Sequence, residues 1–125
     1  MDESELKQRT KRFALRSMKL VDALPKTTAG RVIGNQLVRS ATSVGANYRA
    51  ACRGRSKAEY IAKIGVVEEE ADESGYWMEL LVEGGLIKTD LVSLLLNEAD
   101  QLVAIMAASR KSAVLNRKSA IGDRK

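Results

Sequence analysis

Apolar and small residues recur at steps of three and four along most of the chain. That is the period of an α-helix with one face turned to a core. A first helix is expected from about Ser4 to Ala23, with Leu6, Thr10, Phe13, Ser17, Leu20 or Val21, and Leu24 in its stripe. Asp2 and Glu5 have capping-box spacing at its start, and Pro25 stops it by disfavouring a helical Leu24. A second helix opens at Thr27 or Thr28, either an adequate N-cap. Its stripe is Ile33, Leu37, Ser40, Val44, Asn47 and Ala51, and it ends near Arg53-Gly54, where the glycine is expected as a left-handed cap. Ser40, Ala41, Ser43, Gly45 and Ala46 are small enough to let a neighbouring helix come close. Ser56-Lys57-Ala58-Glu59 reads as a capping box for a third helix, carried by Tyr60, Ile64, Val67, Ala71, Ser74, Met78, Leu81 and Gly85. Gly84-Gly85 breaks it. A fourth begins at Thr89 or Asp90 and runs through Leu91, Leu95, Glu98 or Ala99, Leu102, Ile105 and Ser109.

Short connections between helices of this length force sequential neighbours to run antiparallel. The expected fold is all-α, an up-down-up-down four-helix bundle over residues 1–113. Residues 114–125 are expected to be a basic, frayed C-terminal tail. Composition agrees: the 125 residues include one Pro, one Phe, one Trp and three Tyr, against 45% hydrophobic content. Such a chain is rich in helix formers and poor in turn and strand formers.

Charge changes the picture more. Residues 1–60 carry 13 Lys/Arg against 5 Asp/Glu, residues 61–109 carry 2 against 10, and residues 110–125 carry 6 against 1. A basic first half can pack beside an acidic third helix, and a basic face can also meet a polyanion. Histidine is absent and Cys52 is the single cysteine, which removes histidine-based triads, internal disulfides and the usual zinc sites. No metal, no cofactor, no small-molecule substrate and no enzymatic activity are expected. The N-terminus lacks a signal-peptide core, and no stretch is read as approaching the roughly 18 apolar residues of a membrane span. A cytoplasmic protein without a membrane partner is the expectation.

The run Gln36-Leu37-Val38-Arg39-Ser40-Ala41-Thr42-Ser43-Val44-Gly45-Ala46-Asn47-Tyr48, followed by Ala51-Cys52-Arg53-Gly54-Arg55-Ser56-Lys57-Ala58-Glu59-Tyr60, is too particular for generic helix. With Phe13-Ala14-Leu15, Lys63, Glu69-Glu70-Ala71-Asp72-Glu73, Tyr76-Trp77 and Glu98-Ala99-Asp100-Gln101-Leu102, it resembles the bacterial four-helix-bundle family named for proteins encoded in intervening sequences of 23S ribosomal RNA genes. The similarity spans about Phe13 to Ala113. It implies an antiparallel, left-handed bundle and a homopentamer. Accessory proteins of diversity-generating retroelements are distant relatives, and through them the resemblance implies contact with RNA or other nucleic acid. One position departs: Ala50 stands where family members usually carry Glu, so no pairing here relies on that carboxylate.

Several residues are marked for function. Arg49, Arg53, Arg55 and Lys57 form the densest basic cluster, suited either to the negative end of the second helix or to phosphates. Tyr48 and Tyr60 alone interleave with it, too few for a base-stacking platform. Arg39 reads as a buried or half-buried partner for Glu70 or Glu73, or as a phosphate ligand. Asn47, on the seam, reads as a register-fixing polar residue. Adjacent acids among Glu68, Glu69, Glu70, Asp72 and Glu73 diverge by about 100°, so they do not converge on one metal. Val66, Val82, Val92, Leu94, Leu96 and Val103 fall outside the neatest stripes and point to self-association. The expected function is a non-catalytic homo-oligomer contacting nucleic acid; the alternative is a self-assembling scaffold for a protein partner.

Overall fold

The computed structural model describes the backbone through Asp123 and side chains through Lys118. Four helices follow one another: α1 (Glu3–Asp22), α2 (Thr28–Cys52), α3 (Lys57–Glu83) and α4 (Thr89–Asp123). Contacts are dense between α1 and α2, α2 and α3, and α3 and α4, and sparse between α1 and α4. That is the up-down-up-down four-helix bundle the periodicity demands, and no strand occurs among the described residues.

The starts of three helices are made by side chains that satisfy free backbone N–H groups. Asp2 Oδ1 accepts from Glu5 N at 2.8 Å, Thr27 Oγ1 from Gly30 N at 3.1 Å, and Ser56 Oγ from Glu59 N at 3.1 Å. The left-handed glycine expected at Gly54 is found elsewhere. Among the described residues only Gly85 has positive φ, at 73°. There Gly85 N donates to Val82 O at 3.0 Å and Leu86 N to Leu81 O at 2.8 Å, the Schellman pattern that lets α3 end with its carbonyls bonded. At α2 the chain instead tightens, with Arg53 N to Ala50 O and Gly54 N to Ala51 O.

The core takes the expected stripe of α1 without change, including the polar Thr10 and Ser17, which donate to Leu6 O and Phe13 O of their own helix. On α3 the stripe gains Gly75 but does not reach the helix ends, Tyr60 being half-buried and Gly85 exposed. On α2 it turns: Tyr48 is buried in place of Asn47, and Gly30, Gly34 and Ala41 join it. The polar link across the α2–α3 seam is Ser74 Oγ donating to Ser40 Oγ at 2.9 Å, both residues being fully buried. Asn47 is half-buried and donates back to Ser43 O at 2.9 Å within α2. Small residues bring α1 close, Gly45 lying against Thr10.

On α4 the buried line is Val92, Leu95, Ala99, Leu102, Met106 and Ala113, while Leu91 is exposed. Val92, expected outside the seams, is therefore core. Contact with α3 dominates the facing of α4, so the helix is rotated from the stripe that Leu91 and Ile105 suggested. Within Thr89–Lys118, α4 also holds a window long and apolar enough by length and composition to cross a membrane, which corrects the reading that none exists. Only 28% of that window is buried within the chain. The helix continues past Val114, which is half-buried. Side chains from residue 119 on lie outside the described residues, while the backbone of the tail expected to fray is helical through Asp123.

Candidate nucleic-acid interface

Helix parity puts the α2–α3 loop, the start of α1 and the C-terminal part of α4 at the same end of the bundle. Arg49 lies in the last turn of α2, Arg53 is its C-cap, Arg55 follows in the loop and Lys57 opens α3. All four are exposed, and none forms an ion pair among the described residues. Cations at the carbonyl end of α2 suit its dipole, whereas Lys57, at the N–H end of α3, faces a positive terminus that already attracts anions.

Beside them, a hollow of about 790 Å³ opens between the start of α3 and α4, lined by Ser56, Lys57, Tyr60, Ser109, Ser112 and Asn116. On α4, Lys111, Arg117 and Lys118 are exposed at the same end, on faces of the helix other than the one that lines the hollow. The arrangement offers ammonium, guanidinium, hydroxyl and amide groups to one region, the donor set that binds phosphodiester oxygens. Two of the carboxylates at this end are engaged, Glu3 and Glu59, while that of Glu5 is exposed and in no ion pair among the described residues. Glu3 pairs with Lys7 at 3.5 Å, and hydrogen bonding from Cys52, then the Lys7 charge, holds its carboxyl below the usual range. Glu59 accepts from Arg55 N at 3.3 Å. Tyr48 is buried and Tyr60 half-buried, with both phenols pushed up chiefly by burial, so neither presents an open ring for stacking. The walls of the hollow from α4 carried no linear signal. They come to the loop only because the fourth helix returns to that end.

The second marked group lies at mid-bundle, far from this end. Arg39 donates to Glu73, stands 3.6 Å from Glu70 Oε2, and donates through Nε to Gln36 Oε1 at 3.2 Å. Trp77 Nε1 also donates to Glu73, at 3.2 Å, and the exposed Tyr76 meets Trp77 edge-on with centroids 5.1 Å apart. The Arg39 side chain is 49% exposed, so the cluster is a surface seam between α2 and α3. The best shielded ion pair is a different one, Arg9 with Glu98. Arg9 Nε and Nη2 reach the two carboxylate oxygens at 2.7 Å each, Nη2 also reaches Gln101, and the side chains are 19% and 15% exposed. It ties α1 to α4 where their other contacts are fewest. Arg110 similarly ties α4 to Glu68 of α3 at 2.9 Å. No group of three or more metal-ligating side chains is gathered among the described residues.

Comparison with known proteins gives a consistent picture. No curated protein matches the chain. A crystal structure from Bacteroides thetaiotaomicron, described as a protein with unknown function from the S23 ribosomal protein family, aligns with a TM-score of 0.82 at 30% identity, covering 89% of this chain and 99% of that one. The family model described as 23S rRNA-intervening sequence protein matches residues 2–108, which takes in both motif runs on α2 and α3 and most of α4. The chain therefore belongs to the 23S rRNA-intervening sequence protein family.

Proposed function

We propose that this chain is a non-catalytic, self-assembling bundle protein that contacts RNA or another nucleic acid through its basic end. The carrying observation is that Arg49, Arg53, Arg55 and Lys57, at the bundle end that also carries Lys111, Arg117 and Lys118, are all exposed and outside the ion pairs that occupy Arg9, Arg39 and Arg110. Assembly, a ring of five on the family resemblance, would repeat this charge around an axis and strengthen the field at its rim. Support for assembly comes from α4, most of whose apolar window lies outside the core, and from Leu91 and Leu94 at 67% and 75% exposure. The cytoplasm is the compartment that suits such a role.

The test is retention of structured RNA across a salt series. Phosphate contacts make log affinity fall linearly with log salt. Reversing Arg53 and Arg55 to Glu is expected to abolish retention while leaving helicity and oligomer size intact. Loss of binding only on removal of residues 114–125 would move the contact to the tail. An unaltered protein that never retains RNA at low salt would leave the scaffold reading in its place.

A further inference from the structure

The outer seam between α3 and α4 is a groove with no occupant within the chain. Its residues step by seven on both helices, Gly65, Asp72 and Glu79 on α3 and Arg110, Val103, Leu96 and Thr89 on α4. Two hollows, of about 410 and 330 Å³, follow one another along it. The floor is apolar, from half-buried Val82, Leu96 and Val103. The walls are acidic, from Glu69, Asp72, Glu79, Glu83 and Asp100, all exposed and none in an ion pair among the described residues. An apolar trough with unpaired carboxylates on its rims fits a helix that carries apolar residues on its contact face and cations beside them.

The chain itself presents such a helix. The outward face of α1 carries Leu15 and Met18, at 54% and 44% exposure, flanked by Lys11, Arg12 and Lys19. Positions 11, 15, 18 and 19 share one side of a helix, opposite the buried stripe of Leu6, Phe13, Ser17 and Leu20. These three cations are likewise free of ion pairs among the described residues. Acids and cations left unpaired on two separate faces of one molecule are complementary between molecules.

We infer that the α3–α4 groove receives the outward face of α1 from a second copy of this chain. Since α1 does not border the groove of its own bundle, each copy offers α1 to one neighbour and its groove to another. The contact is therefore heterologous, the head-to-tail kind that closes into a ring when the rotation allows. The inference rests on the assembly part of the proposed function and is independent of nucleic-acid binding.

The test is a charge exchange read by sedimentation velocity at micromolar concentration, with thermal melting to check the fold. Every altered residue is exposed and outside the chain's own ion pairs. Glu79→Lys with Glu83→Lys is expected to yield monomers, as is Arg12→Glu with Lys19→Glu. All four changes in one chain restore the assembly, because both faces have then changed sign. An oligomer whose size neither reversal alters, or a fourfold variant that stays monomeric, overturns the groove assignment while leaving assembly in place. An unaltered chain that is monomeric throughout overturns both.

Discussion

Three arginines differ in how far their charges are paired and withdrawn from water. Arg9 and Glu98 are largely withdrawn from water and joined by two short charge-assisted bonds, each of a kind worth roughly 1.5–3 kcal/mol. The Arg39 guanidinium lies half in solvent where it meets Glu73 and the better shielded Glu70, and a pair with one exposed partner contributes about 1 kcal/mol or less. Arg55 has no side-chain partner among the described residues. Arg9→Ala is thus expected to lower the melting temperature most, Arg39→Ala slightly, and Arg55→Ala hardly at all. Calorimetry of the three single variants checks the order; a loss at Arg39 as large as at Arg9 would mean its seam is drier than its exposure indicates. Burial of Arg39 is what would have justified a large cost there, and the tertiary structure withholds it.

At the scale of the element, each helix ends where backbone chemistry requires. Gly85 adopts φ of 73° so that Leu86 can fold back onto the end of α3. A side chain in that conformation costs about 1–2 kcal/mol, and the space around a Cβ there is open, so Gly85→Ala is expected to cost about that much through the backbone alone. At the other hairpin, a Cβ on Gly30 would lie 2.2 Å from the Pro25 carbonyl oxygen, so Gly30→Ala forces the α1–α2 connection to move and is expected to cost about 1–3 kcal/mol. Chemical denaturation of both variants tests this: equal stability of Gly30→Ala and the parent would show that the connection yields freely. The capping residues at 2, 27 and 56 were legible because a cap is a local bond between near neighbours. The cross-helix bond of Ser40 with Ser74 joins residues 34 apart in sequence, and Asn47 was mistaken for it because a 25-residue helix at 3.6 residues per turn drifts off any strict three-four stripe.

The whole molecule places Cys52, Tyr48 and Tyr60 at the end that also carries the basic residues. Burial, as the largest influence on each, pushes the Cys52 thiol and the two phenols above their ordinary values. The folded chain then holds these protons longer than the unfolded chain does. Their contribution is fully present below the ordinary thiol and phenol values and is lost as pH rises through the raised ones. Stability is expected to fall from about pH 8 to about pH 11, the range in which free thiols and phenols ionise. Melting across that range checks it, and Cys52→Ala is expected to remove the part that begins in the thiol range. A flat profile would place these groups in contact with water.

The number of helices, their starts, the stripe of α1 and the family motifs on α2 and α3 were all set by local sequence. Each depends on a period, a cap or a run of residues that the unfolded chain already carries. The grouping of the α2–α3 cluster with the hollow on α4, the Arg9–Glu98 tie and the groove beside α3 were decided only by the tertiary structure. Each joins residues on different helices, and side-chain facing on α4 follows from how closely α3 packs against it and how loosely α1 does. Charge segregation was visible in the sequence as blocks. Which of those charges are spent inside the bundle and which remain outside it depends on distance in space, and only folding sets that distance.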